Sequence, residues 1–205
     1  MEELKQSNQL EWTGERVIEE KMQDKDPIEN ARLKKILYQH LARYHFAASY
    51  CFEKSILDAA CGSGYGTELL GKLSSKILGV DNDEKTIEYA ENYRTSKVKF
   101  EVCDLEKDFP QGEFDTIISF ETIEHLKDPN LFLSNVAKHC KTFIFSIPLN
   151  NKSQFHLGVY NLIEAQELIG KYFKNVTWYK QSDIIIESLS EPTDKCRFLI
   201  GVTKI

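Results

Sequence analysis

From Ser55 onward, short apolar runs alternate with amphipathic stretches. The runs SILDAAC, KILGVD, VKFEVC, FDTIISF and KTFIFSIP are short and rich in β-branched and aromatic residues, which suits strands buried on both faces. Between most of them apolar residues recur at spacings of three and four, and this predicts helices over 66–73, 84–93 and 129–139. Such alternation implies crossover connections, and so an α/β fold with a doubly wound, mostly parallel sheet and helices on both faces. A further helix is expected over 163–173. NVTWYKQSDIIIESL and KCRFLIGVTKI then read as two strands joined at SEPTD, a C-terminal antiparallel hairpin that completes a seven-stranded sheet.

The N-terminal part is patterned differently. About 25 polar residues come first, and in DPIENARLKKILYQHLARYHFAASY the residue Asp26 is placed as an N-cap, with Pro27 at the first helical position and Glu29 in the first turn. Leu33, Ile36, Leu37, Leu41 and Tyr44 follow at helical spacing, so one face is predicted to pack on the domain body while the charged face stays solvated. On this reading Tyr44 is core and Arg43 is one half of a surface ion pair. The expected organisation is one domain over 1–205, with 1–50 as an N-terminal helical lid and 51–205 as the core.

Composition narrows the chemistry. The 205 residues are 41% apolar and 28% charged, enough for one full hydrophobic core. No stretch has the length of a membrane span, and the opening MEELKQSNQLE is too acidic and polar for a secretory leader, so a cytoplasmic location is expected. The five cysteines are scattered without a C-x-x-C pair, which suits reduced, buried thiols. A formal charge of -6 disfavours a large nucleic-acid footprint and favours a small-molecule partner.

The first strand runs into LDAACGSGYG, where Gly62, Gly64 and Gly66 allow a tight turn that a ligand can approach at the sheet's carboxyl edge. The spacing is G-x-G-x-G, which departs from the G-x-G-x-x-G of nicotinamide enzymes. Asp58 precedes Gly62 by four residues. Asp81 ends the second strand, placed to accept hydrogen bonds from both hydroxyls of a ribose. Asp104 and Leu105, in CDLEKDFP, fall at the same edge, where they can bracket an adenine.

These segments, in this order, resemble the class I S-adenosylmethionine-dependent methyltransferases over residues 50–175. LDAACGSGYG is similar to their cofactor loop, GVDND to their ribose site, CDLEKD to their adenine site and FDTIISFETIEHLKDP to their segment after the fourth strand. The resemblance implies a Rossmann-like fold with S-adenosylmethionine held by Asp58, Ala60, Gly62, Gly64, Asp81, Asn82, Asp104, Leu105 and Phe120. TGERV and HLARY further resemble a bacterial subgroup associated with surface polysaccharides and small metabolites, with Arg16 and Arg43 in segments able to fold over the cofactor.

Just past the fourth strand, Glu121, Glu124 and His125 stand at i, i+3 and i+4. If the segment turns helically they share one face. The E-x-x-E-H pattern resembles one in ubiquinone-pathway O-methyltransferases and small-RNA 2′-O-methyltransferases, where it holds a divalent metal. By that resemblance Glu121, Glu124 and His125 are candidate metal ligands; His156, eight residues after Pro148, can reach the same edge, and carboxylates with imidazole nitrogens suit Mg²⁺, Mn²⁺ or Fe²⁺. Without a metal, His125 or His156, with Glu124 beside them, is the candidate general base. The leading expectation is O-methylation of a small hydroxylated, carbohydrate-like or phosphorylated metabolite. An RNA 2′-O-methyltransferase, a nicotinamide oxidoreductase and a non-catalytic cofactor-binding protein are the competing readings.

Overall fold

In the computed structural model, which describes residues 18, 26–190 and 196–204, eight strands form one sheet in the order β3-β2-β1-β4-β5-β8-β6-β7. β1 (Ser55–Ala59), β2 (Lys76–Asp81), β3 (Lys99–Val102), β4 (Phe114–Phe120) and β5 (Cys140–Pro148) pair in parallel. α2 (Tyr65–Gly71), α3 (Glu84–Tyr93) and α4 (Pro129–His139) supply crossovers between them. The strand order reverses between β1 and β4, and a doubly wound sheet opens a crevice at the carboxyl ends of such strands.

Local chemistry fixes the helix starts. Asp26 caps α1 (Pro27–Ala48), accepting from the Ile28 and Glu29 amides, and Asp128 caps α4 the same way with Pro129 next. α5 (Leu162–Gly170) opens on a reciprocal capping box between Asn161 and Glu164. The core on one side of the sheet centres on fully buried Phe132, Phe143 and Phe145, each contributing about 2 to 3 kcal/mol through burial.

The strand count differs from the expected seven because NVTWYKQSDIIIESL is two strands. Asp183 adopts a left-handed φ of 60° and divides it into β6 (Val176–Ser182) and β7 (Ile185–Ser188), which pair as a hairpin. Aspartate tolerates that conformation, so the turn forms without glycine or proline. The expected antiparallel pairing with NVTWYKQSDIIIESL is present: β8 (Phe198–Lys204) runs antiparallel to β6 and, on its other side, to β5. The expected SEPTD turn falls mostly outside the described residues. All five cysteines are free, and four are buried.

α1 also corrects the sequence reading. Leu33 and Tyr44 are buried as expected, but so are Gln39 and Arg43 on the same helix. Arg43 is 1% exposed and is no surface ion pair. Its NH1 donates to Gln181 Oε1 (2.9 Å), its NH2 to Glu121, and its guanidinium lies 4.7 Å from the Phe198 ring centre.

Candidate active site

A cavity of about 440 Å³ opens at the carboxyl edge between β1 and β4. Its floor is the loop after β1. Ala60, with φ of 64°, and Gly62, with φ of 55°, turn the backbone there, and a Cβ added to Gly62 would meet no protein atom within 4 Å. Asp81 ties the loop to the end of β2: one carboxylate oxygen accepts the Gly62 amide and the other the Asp83 amide, both at 3.1 Å. A carboxylate has about four acceptor positions, so the same oxygens can still receive ribose hydroxyls. Asn82, Asp104, Leu105 and Phe120 line the cavity as well. Asp104 is also a turn residue, its carboxylate held by Lys107 (2.6 Å) and by the Glu106 amide.

Two expected cofactor residues stand behind this wall. Asp58 is buried, bonded by the Thr67 hydroxyl at 2.6 Å and the Tyr44 hydroxyl at 3.2 Å. Burial pushes its carboxyl up to about 6, against the opposing pull of the Thr67 and Tyr44 hydrogen bonds. Gly64, with φ of 79°, caps α2, and a Cβ there would sit 2.7 Å from the Phe100 ring. Its glycine serves packing and not ligand approach. Gly66 likewise leaves room for the Tyr44 ring, which an added Cβ would overlap at 2.0 Å. Tyr44 is therefore both core and support for Asp58. Arg16 lies outside the described residues.

The segment after β4 does not turn as one helix. Glu121 takes a left-handed φ of 51°, and the helical turn, a single 3₁₀ turn, spans only Ile123–His125. Glu121 therefore points away from Glu124 and toward α1, where it meets Arg43 and, at 3.1 Å, His40 Nε2. Non-glycine left-handed backbone is costly; here the Ser146 hydroxyl and these ion pairs hold it in place. Burial raises the Glu121 pKa, but the Arg43 charge and the hydrogen bond from His40 outweigh it and hold the carboxyl down at about 2. Glu121 is thus not brought into a four-residue cluster.

Glu124, His125 and His156 do come together, each offering one ligand atom within 4.8 Å of the others. The loop that follows β5 makes this contact. The Leu157 and Gly158 amides donate to the Glu124 carbonyl (2.8 and 2.9 Å), and the two imidazoles meet edge to face at 4.9 Å. His125 Nδ1 bonds the Phe155 carbonyl and His156 Nδ1 the Asn151 carbonyl, each at 3.0 Å. A carbonyl only accepts, so both Nδ1 atoms carry hydrogen, and in the neutral rings the lone pair sits on Nε2. Two such nitrogens beside a fully buried carboxylate suit a proton or a cation between them.

Sequence reasoning missed His40, Tyr65 and Gln181. The signal was there in α1: Gln39, His40 and Arg43 interrupt an apolar stripe that has to pack.

The sheet is Rossmann-like, with a glycine-lined crevice at the carboxyl edge, and residues 57–142 match the methyltransferase domain family. A Mycobacterium tuberculosis protein named as a probable S-adenosylmethionine-dependent methyltransferase is 33% identical over 132 residues, covering 63% of this chain and 44% of its own. The human mitochondrial ubiquinone biosynthesis O-methyltransferase is 31% identical over 151 residues, covering 66% and 40%. The chain thus spans under half the length of these relatives. An S-adenosylmethionine-dependent methyltransferase of Clostridium acetobutylicum shares the fold at a TM-score of 0.64 and 15% identity, over 82% of this chain and 91% of that one.

Proposed function

We propose that the chain transfers the methyl group of S-adenosylmethionine to a hydroxyl oxygen of a small, carbohydrate-like or phosphorylated acceptor. The observation that carries this reading is the lining of the cavity. Backbone turns and Asp81 line it together with the titratable side chains of His40, Tyr65, Glu121 and His125, and we assign the former to the cofactor and the latter to the acceptor. A sulfonium methyl needs only an aligned nucleophile, and a hydroxyl needs its proton removed as it attacks. The titratable side chains in the lining suit that task. The human relative, named as an O-methyltransferase, points the same way. Among the described residues no helix is long and apolar enough to cross a membrane, which leaves a small acceptor free to enter from water.

The donor set of Glu124, His125 and His156 fits a divalent ion such as Mg²⁺, Mn²⁺ or Fe²⁺. Such an ion, when bound, would orient the acceptor oxygen and lower its pKa. His125 would then be a ligand and not the base. Chelation tests the ion: activity lost on metal removal and restored by Mn²⁺ or Mg²⁺ supports it, and full activity in verified metal-free protein rejects it.

The reading as a whole is tested by S-adenosylhomocysteine release with hydroxyl, amine and thiol acceptors, each product checked by mass spectrometry. Methylation of oxygen is expected. Transfer confined to nitrogen or sulfur, or no turnover in protein that binds the cofactor, overturns it.

A further inference from the structure

Beside Glu121 the cavity wall holds a hydrogen-bonded chain that starts on α1 and ends on the first residue of α2. The Glu121 carboxylate is ionised and can only accept, so His40 Nε2, at 3.1 Å, carries the hydrogen. In the neutral ring Nδ1 is then the acceptor, and the Tyr65 hydroxyl, 2.6 Å away, donates to it. The two rings lie nearly parallel, at 22°. All three residues line the cavity.

The direction of these bonds decides what the chain can serve. A subsite for the cofactor's carboxylate would have to offer donors. Here the Tyr65 proton is committed to His40 and the His40 proton to Glu121. What this wall presents is the Tyr65 oxygen, an acceptor, which suits an incoming hydroxyl.

We infer that Tyr65, His40 and Glu121 form a proton relay for the acceptor hydroxyl, with Tyr65 touching the acceptor and His40 acting through it. This rests on the reading of the chain as an O-methyltransferase. As the acceptor oxygen bonds to the methyl carbon, the carbon–sulfur bond breaks and its electron pair stays on sulfur. The acceptor's proton passes to the Tyr65 oxygen while Tyr65 gives its own to His40 Nδ1. The sulfonium's positive charge is thereby replaced by an imidazolium's, which Glu121 faces, and the proton leaves through Tyr65 once product has gone. Arg43 keeps Glu121 ionised and fixes the His40 tautomer. The other titratable groups facing the chain are Tyr44 from α1 and, acting on Glu121, His125.

Tyr65→Phe and His40→Gln test the relay, with catechol and D-fucose as hydroxyl probes and aniline as an amine probe. Both variants are expected to bind S-adenosylmethionine within about threefold of wild type and to lose about 100-fold in methylation of a hydroxyl probe, a loss that shrinks as rising pH ionises catechol. Hydroxyl rates within threefold of wild type overturn the relay. So does a tenfold loss of cofactor affinity in Tyr65→Phe, which would make this wall a cofactor subsite. Wild type that methylates aniline and neither hydroxyl probe defeats the O-transfer reading and the relay with it. Nitrogen-15 NMR of the cofactor-bound protein needs no acceptor: hydrogen on His40 Nε2 is expected, and hydrogen on Nδ1 overturns the relay.

Discussion

The two parts of the cavity are built by different physics. The cofactor part is local. Ala60, Gly62, Asp81 and Asn82 lie at the ends of β1 and β2, adjacent parallel strands, and their geometry follows from two turns and a carboxylate that accepts backbone amides. The part proposed for the acceptor is assembled at long range: His40 and Arg43 come from α1, Tyr65 from α2 and Glu121 from the exit of β4, with Gln181 of β6 behind Arg43. The first part is held by backbone conformation, the second by buried charge. Each therefore has its own way of failing.

The largest effect is expected at Arg43. Arg43→Ala strips the guanidinium from the mostly buried Glu121 carboxylate and from the Gln181 side-chain oxygen, and removal of one half of such a buried pair costs about 3 to 5 kcal/mol. Urea unfolding measures it. A loss under about 1 kcal/mol would mean that the acceptor part is not held by charge.

The two carboxyls should next give opposite pH slopes. Asp58 is raised from 3.8 to about 6, so its contribution to stability is fully present below 3.8 and is lost as pH rises through 6. Glu121 is lowered from 4.5 to about 2, so its contribution is present above 4.5 and is lost as pH falls through 2. Each shift is worth on the order of 3 kcal/mol. Unfolding free energies from pH 2 to 7 should show Asp58→Asn abolishing the decline toward pH 6, and Glu121→Gln abolishing the loss in acid. Parallel slopes in the two variants would erase the contrast.

Smaller effects should separate two neighbouring glycines. At Gly62 a methyl group meets no protein atom within 4 Å, so Gly62→Ala should cost only the left-handed backbone term of about 1 to 2 kcal/mol, yet weaken cofactor binding. Gly64→Ala pays that term and also presses on Phe100 and Ala90, at 2.7 and 3.1 Å, so its loss should be larger and fall on stability. Thermal melts paired with cofactor titrations check both.

Legibility in the sequence follows the same division. Five parallel strands, the cap at Asp26 and the glycine-rich loop could be read from the chain, because each depends on residues close together in it. The Asp183 turn escaped because aspartate carries left-handed backbone without the usual glycine signal. Glu121 was grouped with Glu124 on helical spacing, but its φ of 51° turns it to face Arg43 and His40, contacts 78 and 81 residues away in sequence. Glu124 and His125 were grouped by a resemblance and His156 by its place after the fifth strand; the loop amides that bring them together were not legible.

The most direct test of the division is calorimetric titration of S-adenosylmethionine into Asp81→Ala and His125→Ala, both shown to be folded. Loss of one charge-assisted hydrogen bond to the ribose, about 1.5 kcal/mol, should weaken binding at least tenfold in Asp81→Ala. His125→Ala should bind within about threefold of wild type, because on the proposed function its side chain serves the acceptor. Unchanged affinity in Asp81→Ala, or an equal loss in both variants, would contradict the account.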